Sequence, residues 1–96
     1  MIAYDDLIAL GAMSRLTERG VQPGREVSVV GVDDSPLSEM AHPTLTSVHV
    51  PSGELGSVAV DLLLDLVDGV DSGTAEPPTI SLETRLVIRS STGPAS

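Results

Sequence analysis

Val27-Ser28-Val29-Val30-Gly31-Val32-Asp33-Asp34-Ser35-Pro36 is the stretch that decides how this chain folds. Residues 27–32 carry no charge, and four of them are valine. A short, uncharged, β-branched run of this kind marks a parallel strand buried on both faces. Asp33-Asp34-Ser35-Pro36 then breaks it as a loop. Upstream, Asp5 to Arg19 reads as a helix with Gly20 as its stop. Asp5 suits the N-cap, and Asp6 sits where the helix dipole favours negative charge. Met1-Ile2-Ala3-Tyr4 reads as the tail of an earlier apolar strand. Strand, helix and strand joined by such short connections argue for an α/β sheet.

The first helix is apolar almost all round, through Leu7, Ile8, Ala9, Leu10, Ala12 and Met13. A helix of that kind is expected to be buried on every side. One face would pack on its own sheet and the other under a further cover, such as a second subunit. Downstream, Leu45-Thr46-Ser47-Val48-His49-Val50 reads as a strand between Pro43 and Pro51. Ser52 caps a second helix to about Asp68, with Gly69 as stop. Its stripe of Leu55, Val58, Ala59, Leu62, Leu63 and Leu66 opposes an acidic one of Glu54, Asp61, Asp65 and Asp68. Residues 70–78 read as a loop, Thr79 to Ile88 ends in a last strand at Leu86-Val87-Ile88, and Ser90 to Ser96 as a polar, frayed tail.

Composition removes most enzymatic classes. The 96 residues include no Cys, Phe or Trp, and Tyr4 is the one aromatic, so the core must be aliphatic. Without Cys there is no disulfide framework, thiolate zinc site or thiol nucleophile. All five basic residues are Arg, which excludes a P-loop, a Schiff-base lysine and a Ser–Lys mechanism. A net charge of −9 repels phosphate backbones, so these residues are not expected to bind DNA by themselves. No apolar run approaches the about 18 residues that span a membrane. The N-terminus lacks the positive flank of a signal peptide, which points to the cytoplasm.

Two carboxylate pairs, Asp5-Asp6 and Asp33-Asp34, each follow the C-terminal end of a strand. In open α/β sheets ligands bind in the crevice outside those ends. A carboxylate accepts through two oxygens and can bridge adjacent hydroxyls of a sugar or polyol. The plainer alternative makes Asp5 a helix cap and Asp34 an Asx-turn. A Mg²⁺ site would want a cationic phosphate partner, and no Arg is near either pair in sequence. His42 and His49 have no ligand-like spacing and read as surface or packed histidines; no serine stands in a Gly-x-Ser-x-Gly elbow.

Read in order, these pieces resemble the C-terminal part of the effector-binding core of LacI/GalR-type transcriptional repressors. The similarity runs through Ala3-Tyr4-Asp5-Asp6-Leu7-Ile8-Ala9-Leu10-Gly11, then Val27 to Asp34, then Pro43-Thr44-Leu45-Thr46-Ser47-Val48 with Pro51. It continues through Leu55-Gly56 to Leu86-Val87-Ile88-Arg89-Ser90-Ser91-Thr92. Two departures stand out: Asp5 replaces the family's usual Asn, and Val32 its usual aromatic.

The resemblance implies an α/β, type I periplasmic-binding-protein-like fold, with parallel sheet pieces flanked by helices and a two-lobed parent domain cut short. Residues 1–50 would belong to the C-terminal lobe, 51–78 to the N-terminal lobe, and 79–96 to the return strand and tail. It implies a small-molecule effector, a sugar or polyol, held by Asp33, Asp5, Ser52 and Leu55. It also implies a homodimer through the first helix, with contacts at Leu10, Met13, Thr17, Leu37, Met40 and Ala41. DNA would be reached only through an N-terminal helix-turn-helix outside these residues. No enzyme activity, cofactor or metal is expected. The alternatives are a fragment of a secreted periplasmic-type sugar-binding protein and an acid-cluster Mg²⁺ enzyme. Alone, the chain is expected to associate through exposed apolar faces.

Overall fold

The first helix begins where its cap allows it to. In a computed structural model, which describes residues 1–68, 79 and 81–94, α1 spans Asp6–Glu18 and Asp5 is its N-cap. The Asp5 carboxylate accepts from the Ile8 N–H at 2.8 Å, satisfying one of the orphan donors of the first turn. At the other end Gly20 adopts φ +80°. The Val21 N–H reaches the Leu16 carbonyl at 2.9 Å and the Gly20 N–H the Thr17 carbonyl at 3.0 Å, a Schellman closure.

The valine run forms β1, Val30–Asp33, and the second expected strand forms β2, Thr46–His49. They pair in parallel, with Val30 opposite Thr46 and Asp33 opposite His49. Between them a short helix, α2, spans Pro36–Met40, where the sequence reading has only a loop. Its cue is Ser35 followed by a proline that starts the helix without wasting a donor. The last strand, β3, is Arg85–Val87 and runs antiparallel to β2, with Arg85 opposite His49. The sheet order is β1-β2-β3, a parallel pair with an antiparallel third member. On the free edge of β1, the N-terminal stub makes one parallel bridge, Ile2 to Val30.

The core is aliphatic and small: Ala3, Ala9, Met13, Val29 and Leu45, flanked by Leu10, Leu16, Val27 and Ala41. Helix α1 contributes Ala9 and Met13 along one face, four residues apart as helical periodicity requires. Leu7 and Ile8, by contrast, remain 68% and 52% exposed, on the side for which the sequence reading expects a further cover. Within this chain one side of α1 meets the sheet and the other meets water.

The carboxyl-terminal segment corrects the expectation of a frayed tail. Ser91 is fully buried. Its hydroxyl donates to the Val29 carbonyl at 2.6 Å and accepts from the Thr46 N–H at 2.8 Å. Its backbone bonds Thr44 and Val29, and the Gly93 N–H reaches the Ser28 hydroxyl. Polar composition misled because the polar groups of Ser91 find their partners inside. Among the described residues no buried side-chain nitrogen or oxygen lacks one.

Two compact units divide the chain: Met1–Val50 with Thr84–Ser96, and Pro51–Glu83. In the second, α3 spans Ser52–Asp68 as expected. None of its residues is buried; Val58 and Leu62 are half-covered and Leu55, Leu63 and Leu66 are exposed. The Gly69 stop, the loop over 70–78 and Ile80 lie outside the described residues.

Candidate functional site

Strand β1 delivers its last residue, Asp33, to the carboxyl edge of the sheet. Asp33 and Asp34 have φ +118° and +55°, two consecutive non-glycine residues in left-handed territory. Each such residue costs on the order of 1–3 kcal/mol and persists only where its surroundings over-determine it. The loop is fixed at both ends. The Asp34 N–H donates to the Ser47 hydroxyl at 2.9 Å. The Ser35 N–H and hydroxyl donate to Asp6 Oδ2 at 2.7 and 2.9 Å, and the Ser47 hydroxyl donates to Asp6 Oδ1 at 2.6 Å. Asp6 is almost wholly buried. Gly31 makes room for it, since a Cβ there would collide with Asp6 Oδ1.

Asp34 is engaged as fully. Its Oδ1 accepts from Arg89 Nη2 at 2.7 Å and from the Ser38 hydroxyl at 3.2 Å. Its Oδ2 lies 2.9 Å from His49 Nδ1. Burial pushes the Asp34 carboxyl up. The hydrogen bonds from Arg89, His49 and Ser38, with the Arg89 charge, outweigh it and hold the group below the ordinary 3.8. The Asx-turn alternative for Asp34 gives way to this ion-pair network.

Asp33 differs from these neighbours. It is exposed, and no described residue hydrogen-bonds or ion-pairs with its carboxylate. Asp5, half-buried, spends one oxygen on the helix cap. Both carboxylate pairs thus meet at one edge of the sheet, as the strand-end argument expects, through Asp6 and Ser35. Ser52 and Leu55 lie in the first turn of α3, in the other unit, and both are exposed. Sequence reasoning missed the inward role of Asp6, and missed Arg89 and His49 as partners of Asp34. It found no Arg near either pair along the chain, yet the sheet brings Arg89 to Asp34 and sets exposed Arg85 opposite His49. Among the described residues no group of three His, Asp or Glu side chains is placed to hold a metal ion.

The periplasmic binding protein-like domain model matches residues 1–92. The chain belongs to that family. This periplasmic binding protein-like chain is 37% identical over 91 residues to the transcriptional repressor PurR of Haemophilus influenzae (strain PittEE), covering 95% of this chain and 27% of the repressor. Its fold is similar to that of the transcriptional regulator CelR in complex with cellobiose, with TM-score 0.83 and 39% identity, covering 94% of this chain and 27% of that one. It is also similar to the lac repressor dimer bound to operator and an anti-inducer, with TM-score 0.79 and 37% identity, covering 96% of this chain and 31% of that one. These relatives are LacI-family transcriptional regulators, as the sequence resemblance implies. The chain spans about a quarter of the length of the curated relatives it matches.

A second feature of this periplasmic binding protein-like chain lies along α1. A groove of about 420 Å³ is lined by Leu10, Met13, Ser14, Thr17, Glu18, Ala41 and His42. It gathers Leu10, Met13, Thr17 and Ala41, while Leu37 and Met40 stand exposed on α2. Among the described residues no helix is long and apolar enough to cross a membrane.

Proposed function

We propose that this chain is the effector-sensing and dimerising part of a LacI-type, DNA-binding transcriptional regulator, and that its effector is a sugar or polyol. The observation that carries the reading is the contrast among the four edge carboxylates. Asp6 and Asp34 are spent on the scaffold, Asp5 is half spent on a cap, and Asp33 at the strand end has no partner among the described residues. A free carboxylate held on a rigid edge suits hydroxyl groups, which donate to it. Asp5, Ser52 and Leu55 would complete the site. Residues 1–50 would belong to one lobe, 51–78 to the other, and 79–96 would return from it.

The groove along α1, with Leu37 and Met40 beside it, supports a homodimer face at Leu10, Met13, Thr17 and Ala41. Effector binding would shift the balance between two lobe arrangements and so change how the dimer presents its DNA-reading heads. Those heads lie outside these residues, and the protein works in the cytoplasm without enzyme activity. The relatives' identity as regulators favours this over a secreted sugar-binding protein. A helix-turn-helix encoded in frame ahead of Met1 fits the regulator; a signal peptide there fits the secreted alternative.

The chemical class of effector is tested by calorimetric titration of the intact protein with cellobiose, lactose and galactose against glucose phosphate. Neutral sugars are expected to bind more tightly. Arg85, exposed opposite His49, is a feature that would suit an anion. Tighter binding of the phosphosugar would overturn the reading.

A further inference from the structure

Arg89 follows β3 and lies 55 residues along the chain from Asp34, yet its backbone N–H and both terminal nitrogens are placed. Its backbone N–H donates to Thr46 Oγ1 at 2.8 Å, which sets where the side chain starts. Nη1 donates to the Leu45 carbonyl at 2.8 Å and to the Ser38 hydroxyl at 3.0 Å. Nη2 donates to Asp34 Oδ1 at 2.7 Å, with Glu39 at 3.6 Å. The side chain is only 14% exposed. This is a guanidinium fixed by several acceptors on the stretch that follows β1, including α2 and the approach to β2. A solvated arginine would sample many partners; this one has a single geometry.

The loop it grips is the one with two successive positive φ values. Asp34 is the second of these residues, and the Asp33 carboxylate points where the Asp34 backbone lets it. Three ties hold Asp34: its N–H to Ser47, Oδ2 to His49, and Oδ1 to Arg89 and Ser38. Among these, Arg89 supplies the permanent charge and comes from the carboxyl-terminal segment. Ser38 also accepts from Arg89, so removing the guanidinium loosens both contacts of the Oδ1 tie together.

The geometry points to Arg89 as a positioning residue: acting through Asp34, it holds the strained loop so that the adjacent Asp33 carboxylate stays unengaged and presented to an effector's hydroxyl groups. This rests on the effector reading of Asp33 given above. Arg89 itself does not touch the effector, because both its terminal nitrogens already have partners inside the protein.

The test compares Arg89→Met, Arg89→Lys, Asp34→Asn and the double variant Arg89→Met/Asp34→Asn in the intact protein, by amide hydrogen exchange and by titration with cellobiose or lactose. In Arg89→Met, exchange at the Asp34 and Ser35 amides is expected to rise about tenfold or more relative to the α1 amides, with sugar affinity falling about tenfold. Arg89→Lys, which keeps the charge but not the fork, should recover part of both, and it carries the comparison if Arg89→Met does not fold. The double variant should lose no more affinity than the worse single one, as residues acting in one chain do. Exchange rising equally at α1 and the loop, or not at all, overturns the positioning role. So does wild-type sugar affinity with a loosened loop. If neither sugar binds the wild type, the effector reading of Asp33 falls, and the exchange pattern alone decides whether Arg89 sets the loop.

Discussion

The Ser47 hydroxyl donates to the Asp6 carboxylate across 2.6 Å, joining residues 41 positions apart at the carboxyl edge of the sheet. Through the same carboxylate Asp6 also takes the Ser35 N–H and hydroxyl. The start of α1, the end of β1 and the middle of β2 are therefore bound to one buried group. A carboxylate accepting three hydrogen bonds is a strong fastener, and its loss leaves buried donors without partners.

Asp6→Ala is accordingly expected to destabilise the protein by about 2–4 kcal/mol, from the lost charged hydrogen bonds and the stranded donors. Urea denaturation of the intact protein checks this. A change under about 0.5 kcal/mol, the range of an ordinary surface substitution, would show that Asp6 is not a fastener.

Ser91 lies in a segment whose composition suggests a loose tail, yet its hydroxyl bridges the Val29 carbonyl and the Thr46 N–H. Ser91→Ala should cost about 1–3 kcal/mol, because both backbone groups lose a partner in the interior. Exchange of the Thr46 amide should quicken in step. An unchanged Thr46 amide would mean that the tail is not docked.

The Asp34 carboxyl sits below the ordinary 3.8 because its hydrogen bonds and the Arg89 charge outweigh its burial. A carboxylate with a depressed folded-state pKa adds stability that is present above its unfolded value and lost as pH falls through its folded one. Asp34 therefore contributes from neutral pH down to the region of 3.8, and the contribution disappears below it. In Arg89→Met the largest lowering influence, the Arg89 hydrogen bond, is lost together with the Arg89 charge while burial remains, so the Asp34 midpoint moves upward. A carbon-detected NMR titration of the Asp34 carboxyl reads that shift directly; a midpoint that stays put would contradict the ion pair.

Much of the scaffold was legible from local cues. Asp5 reads as a cap and is one, Gly20 closes α1, and the Val27–Val32 run contains β1. Capping and periodicity act over a few residues, so they leave a local signature. Asp6, Arg89 and Ser91 were not legible in the same way. Their bonds span 41, 55 and 62 residues and follow no period, so nothing nearby in the chain announces them. Asp6 also had a sufficient local explanation in the helix dipole, which hid its inward role. Helix α2 escaped notice because five residues are too few for a pattern to show. The strand-end argument pointed to both carboxylate pairs and the family resemblance singled out Asp33; what the structure adds is that, among the described residues, its neighbours have partners and it has none.

The central claim is that Asp33 meets the effector. Asp33→Asn keeps a residue type that tolerates positive φ but turns one accepting oxygen into a donor. Calorimetric titration of this variant and the wild type with the same neutral sugar, alongside their thermal transitions, is the most direct test. The account predicts at least an about tenfold loss of affinity with an unchanged transition. Equal affinity in the two proteins would contradict it.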